Sequence, residues 1–184
     1  MKTLATACVV MLAATLSAPA QQPPAATPQS TPPAAASSAT AIGSQGLTPP
    51  PYGAPITLET AKKVMAGAEA EAEKNKWPVV ITILDSGGNM VMLHRYEDAQ
   101  LASLPLAEGK ARTALMFKRP SKALEDAIAA GGAGLRFAAL PNITPLAGGN
   151  LIIVDGKVIG AIGVSGVTSA QHAQIVQSGL DALK

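Results

Sequence analysis

The stretch Leu104 to Ser121, LPLAEGKARTALMFKRPS, most constrains what this chain can fold into. At 3.6 residues per turn, Leu104, Ala107, Ala111 and Ala114 with Leu115 fall on one face. That face is mostly alanine, so whatever packs on it must come close, with little side chain between. Ser103 is placed to cap the helix, Pro105 suits its first turn, and Pro120 stops it. Lys110, Thr113 and Phe117 share a second stripe. Arg112 points elsewhere and can pair with Glu108 one turn back.

The elements around it read in order. Thr57 can cap a helix reaching about Asn75, with Leu58, Ala61, Met65, Ala68 and Ala72 spaced three and four apart and a charged opposite face. Val79 to Leu84 is β-branched and apolar, a largely buried strand. Asp85 to Asn89 reads as a tight reversal and Met90 to His94 as the returning strand. Ser121 starts a shorter helix, ended by Gly131-Gly132, and Gly134 to Gly149 is loop-rich. Leu151 to Val154 and Val158 to Val164 form a second hairpin around Asp155-Gly156. Gly160 and Gly163 interrupt the latter strand, where glycine marks a bulge or a close approach by a backbone or a ligand. A last helix places His172, Val176, Leu180 and Leu183 on one face. Two hairpins separated by helices suit an antiparallel sheet with helices on its faces, an α+β domain.

The chain opens with Met1-Lys2, an apolar run from Leu4 to Leu16, and Ala18-Pro19-Ala20, the pattern of a secretory signal peptide cut after Ala20. The run is too short to span a bilayer. The single cysteine, Cys8, lies inside it and leaves with it. The remainder then has no disulfide, zinc-thiolate site or cysteine nucleophile. Removing Lys2 leaves 13 positive against 12 negative residues, no electrostatic case for nucleic acid or an anionic membrane. Gln21 to Pro55 holds nine of the fifteen prolines and reads as a disordered or polyproline-like tether. Residues 56–184 are the size of one domain. The expected organisation is therefore signal 1–20, tether 21–55 and domain 56–184, in the periplasm or secreted, with no stable membrane anchor.

No catalytic constellation stands out. Ser165 in Gly-Val-Ser-Gly is one residue short of a nucleophile elbow and follows a hairpin strand, which discounts a serine hydrolase. Gly160, Gly163 and Gly166 have the wrong spacing for a dinucleotide loop, and too little chain follows for a βαβ unit. His94 ends a strand beside Arg95 and Tyr96. His172 lies on an apolar helical stripe, the position of a packed or interface histidine.

Several phrases recur together and in order. They are Asp85-x-Gly-Gly-x-x-Val91, Arg95 with Glu97, Gly109-Lys-Ala-Arg-Thr-Ala114, Arg119-Pro-Ser121, Pro145-Leu-x-Gly-Gly149, Val158-Ile-Gly-Ala-Ile-Gly-Val-Ser-Gly166 and Gly179-Leu180. With them the chain resembles the GlcG/HbpS-like family, often labelled haem-binding or haem-degrading, over about Ile56 to Lys184. The resemblance implies a five-stranded antiparallel sheet with helices on both faces, assembled into homo-oligomers. It also implies binding of haem or another small ligand, since related domains are fused to corrinoid adenosyltransferases and some members are secreted haem or iron sensors. Asn89 stands where histidine is common in that family, His172 where an acid is, and His94 where a small residue is.

The leading expectation is an exported protein that binds haem or a related tetrapyrrole. Iron would take His94, or failing that His172 or Tyr96, as axial ligand. Lys110 and Arg112 would pair with propionates, Thr113 and Arg95 would stand at the site, and Gly148, Gly149, Gly163 and Gly166 would let a flat ligand approach. One alternative is a lyase, hydratase or isomerase on a small carboxylate, with Arg95 or Arg112 holding the acid and Lys110, Glu97 or Asp85 moving the proton. Another is an oligomeric sensor or interaction module without catalysis. Small-residue helix faces in a domain this size leave apolar surface to close on a second copy. Export is checked by N-terminal sequencing of protein recovered from the periplasm or medium. The sequence should begin near Gln21; intact Met1 on a cytoplasmic protein contradicts the reading.

Overall fold

The structure, a computed structural model, describes residues 48–184. The expected signal peptide and most of the expected tether lie outside the described residues. Helix α1 spans Leu58–Lys74, capped by the Thr57 hydroxyl, which accepts from the Thr60 N–H at 3.2 Å. Strands β1 (Val80–Asp85) and β2 (Met90–Arg95) make the first hairpin. Helices α2 (Ser103–Phe117) and α3 (Lys122–Ala129) follow, and then a 3-10 stretch, Gly132–Ala139, that runs into the expected loop. Phe137 on that stretch meets Phe117 edge to face at 5.9 Å. Strands β3 (Gly149–Val154) and β4 (Lys157–Ser165) form the second hairpin. Helix α4 (Ser169–Asp181) closes the domain behind a capping box of Thr168 and Gln171.

The sheet is antiparallel in the order β2-β1-β4-β3, so the two hairpins join through β1 and β4 at its centre. Alternation along these strands sends Ile81, Ile83, Ile162 and Val164 to one face, where α1 and α4 cover them. Val80, Leu84, Leu151 and Ala161 face the other way, against α2. On α1 the buried residues are Ala61, Val64, Met65, Ala68 and Ala72, while Leu58, expected in that stripe, is exposed.

Helix α2 lies almost directly on the backbone of β4. Ala107, Ala111 and Ala114 are fully buried, and a Cβ on Gly163 would overlap the Ala107 carbonyl oxygen. One on Gly149 would overlap the Lys110 carbonyl. The glycines expected to admit a ligand at 149 and 163 instead admit a helix. Ser103 opens α2 but makes no cap: Ala102 holds the cap position without a side-chain bond. At its other end Lys118 takes a left-handed conformation, φ 49°, which turns the chain before Pro120.

The resemblance implies a fifth strand, and four are formed among the described residues. Residues 51–56 run beside the start of β4: the Val158 N–H donates to Pro51 O, the Gly53 N–H to Val158 O, and the Ile56 N–H to Ile159 O. Pro51 and Pro55 have no N–H to donate, so the ladder stops at one parallel bridge, Tyr52 with Val158. Residues 51–56 are thus hydrogen-bonded along the start of β4. Tyr52 pins this segment to α2, its hydroxyl donating to Leu115 O at 2.8 Å and its ring lying 4.2 Å under the Lys118 ammonium.

Because a methyl at Gly163 has no room against the α2 backbone, Gly163→Ala should destabilise the domain by about 2 to 3 kcal/mol. Urea unfolding at constant m-value measures it.

Candidate functional site

Lys110 leaves α2 on the side that faces the sheet and is only 3 % exposed. Its ammonium reaches the end of β4, donating to Val164 O at 3.1 Å and to the Ser165 hydroxyl at 3.4 Å. From there the chain turns through Gly166, whose φ of 136° suits glycine, and enters α4. The first turn of α4 carries His172, 5 % exposed, whose Nε2 accepts from the Val167 N–H at 3.2 Å. An accepting Nε2 puts the neutral ring's proton on Nδ1. Among the described residues that Nδ1 is buried and closes no hydrogen bond, with the Ala147 backbone acting on it from nearby. Lys110, Ser165 and His172 thus line one cleft of about 260 Å³, with Ser103, Leu106 and Leu146 among its other walls.

Burial sets the charge states. It pushes Lys110 down to about 8, against the field of Glu125, so the ammonium remains the main form at neutral pH. Glu125 itself is committed to the Ala147 N–H. Lys110 forms no salt bridge among the described residues. Burial, then the charge of Lys110, pushes His172 down to about 4, although the Ala147 backbone favours the protonated ring. At neutral pH the cleft therefore holds one cation, one neutral imidazole and hydroxyls. That set accepts an anion's oxygens.

The other expected residues disperse. Thr113 is buried but faces away from the cleft: its hydroxyl donates to Gly109 O and accepts from the Thr144 N–H, both at 2.7 Å, tying the 140s loop to α2. Arg112 pairs with Glu108 at 2.7 Å and lies beside the Gly88 turn. Arg95 donates to Ala99 O at 3.3 Å. Gly148 and Gly149 border a separate hollow beside α4, and of the four glycines Gly166 alone lines the Lys110 cleft. His94 sits opposite Ile81 in the register, hence on the α1 face of the sheet, where its Nδ1 meets Glu69 at 2.5 Å. It stacks on Tyr96 at 4.5 Å. Burial and the charges of Glu73 and Glu69 push that tyrosine up to about 12. His94 and Lys110 occupy opposite faces of the sheet, so one small ligand cannot reach both. No metal-binding cluster of three His, Cys, Asp or Glu occurs among the described residues.

Ser165 and His172 join the site, although the sequence pattern assigns one to a hairpin end and the other to packing. The available signal is positional: the last strand ends and the last helix begins within a few residues of each other, so polar groups there meet at one sheet edge.

Comparison with known proteins agrees with the resemblance. The family model described as "Haem degrading protein HbpS-like" matches residues 56–181. GlcG of Escherichia coli K12 is 36% identical over 110 residues, 60% of this chain and 81% of that protein. Among solved structures, a double mutant of HbpS from Streptomyces reticuli superposes with a TM-score of 0.66 at 26% identity, covering 88% of this chain and 99% of that one. A complex of PduOC with haem superposes with a TM-score of 0.64 at 28% identity, covering 70% and 94%.

The depressed His172 gives a pH signature. The unfolded ring takes a proton near pH 6.5, the buried ring only near 4, so between these values the unfolded state binds more protons. Stability should fall as pH drops through that window, by up to about 1 kcal/mol per pH unit from this group. Thermal melts of wild type and His172→Gln between pH 6.5 and 5 check it. The variant should show the shallower fall.

Proposed function

This chain belongs to the HbpS-like family, and on that footing we propose that it binds haem or a related tetrapyrrole, with a ligand carboxylate meeting Lys110. The observation that carries the reading is a buried ammonium whose partners are a carbonyl and a hydroxyl, at the wall of an open cleft. A buried charge without a counterion is costly, and a propionate supplies the missing charge. The haem bound by a structural relative supports the ligand class.

The fit is to the edge of the tetrapyrrole. About 260 Å³ is less than the usual volume of a pocket that encloses a drug-sized ligand, so a propionate enters and the macrocycle rests outside. His94, on the far face of the sheet, cannot ligate an iron held in this way by the same protomer. Arg112, with its own partner, is a structural cation. Export belongs to the proposal on the strength of the signal-like start. Self-association belongs to it as well, because Leu101, Leu135, Leu140 and Leu146 leave apolar surface exposed.

Hemin titration followed by the Soret band tests the proposal. Wild type should bind, and Lys110→Ala should weaken binding by about 1 to 3 kcal/mol. Arg112→Ala and His94→Ala should titrate like wild type. Wild-type affinity in Lys110→Ala, or no Soret band with any of these proteins, rejects it.

A further inference from the structure

The same cleft has hydrogen-bonding capacity that its own residues leave unused. An ammonium carries three donors, and Lys110 places one on Val164 O and one on the Ser165 hydroxyl. A third remains. His172 carries its proton on Nδ1, because Nε2 accepts from Val167, and among the described residues that donor closes no hydrogen bond, only the Ala147 backbone acting on it from nearby. Both side chains are more than nine-tenths buried and both line the cleft. Two buried donors, one on α2 and one at the start of α4, line the same cleft and match the two oxygens of one carboxylate.

We propose that this cleft is a binding site for a free short-chain monocarboxylic acid, one oxygen on the Lys110 ammonium and the other on His172 Nδ1–H. The inference rests on the reading of Lys110 as a carboxylate anchor, but it needs no tetrapyrrole. Size and polarity narrow the class. The cleft has room for a few carbons, and Leu106, Leu146 and Ala147 give a short aliphatic chain apolar walls. A dicarboxylate or a doubly charged phosphate would bring a second negative charge with no second cation to meet it. Lys110 is the cleft's one charged residue: His172 stays neutral above about pH 4, and Glu125, the acid that acts on Lys110 from α3, already holds the Ala147 N–H. Binding therefore follows the ammonium alone. It is constant from the pH at which the ligand itself is ionised up to about pH 8 and declines above it, and bound carboxylate raises the pH at which Lys110 loses its proton.

The test is a titration of the purified protein with propionate, followed by NMR of the Lys110 and His172 side-chain nitrogens. Propionate should shift both signals, raise the Lys110 midpoint above its free value, and bind at least tenfold tighter than succinate or sulfate. Lys110→Met keeps most of the unbranched side chain without its charge and should lose at least tenfold in affinity. His172→Phe should lose several-fold, with His172→Gln, which can still donate, recovering part of the loss. Unmoved nitrogen signals in the wild type overturn the proposal whatever the variants do. So does succinate or sulfate binding as tightly as propionate. A protein that gives a Soret band with hemin yet ignores propionate defeats this inference and leaves the haem proposal intact; the opposite pair of results does the reverse.

Discussion

The contact on which the rest depends is the bare packing of α2 on β4. Alanine at 107, 111 and 114 faces glycine at 163 and 149, so helix backbone and sheet backbone approach until no further methyl fits. Protein interiors are close-packed, and a contact of this kind fixes the height and rotation of the helix. It also decides the fate of Lys110. That residue is one position from Ala111, on a helix pressed onto the sheet, so its side chain has to run between the layers to reach the end of β4. Its burial follows from the small residues around it.

Burying an ammonium opposes folding, and no carboxylate among the described residues pairs with this one directly. A carbonyl and a hydroxyl solvate it in part, and Glu125 acts only through space. Burial first, and then the same charge, keep the neighbouring imidazole neutral. A methionine at 110 would fill similar space without the electrostatic cost. A polar arrangement that costs stability fits the proposed binding role, in which fold stability is given up for a ligand contact.

The sheet separates this site from the second cluster of polar and aromatic side chains. His94, Tyr96, Glu69 and Glu73 satisfy one another on the α1 side. Their mutual bonds leave the histidine paired with a carboxylate, and the alternation of side chains along β2 holds it away from α2. Two groups that look alike in the sequence, a histidine beside an arginine and a lysine near an arginine, therefore have unrelated surroundings.

The sequence by itself determined the element order, because periodicity, caps and glycine turns are local properties. Both hairpins, all four α-helices and the Arg112–Glu108 pair could be read from spacing, and the count of four strands came from that reading. The implied fifth strand failed on Pro51 and Pro55, which lack the N–H groups a ladder needs. Only the tertiary structure decided which polar residues share a cleft. Thr113 is one turn from Lys110 on the same helix, yet it is drawn to Thr144 by a loop remote in sequence. His172 is 62 residues from Lys110, yet the end of β4 and the start of α4 bring them to one cleft. A site assembled from the ends of three elements depends on register and crossing, which are properties of the packed layers and leave no local pattern in the chain.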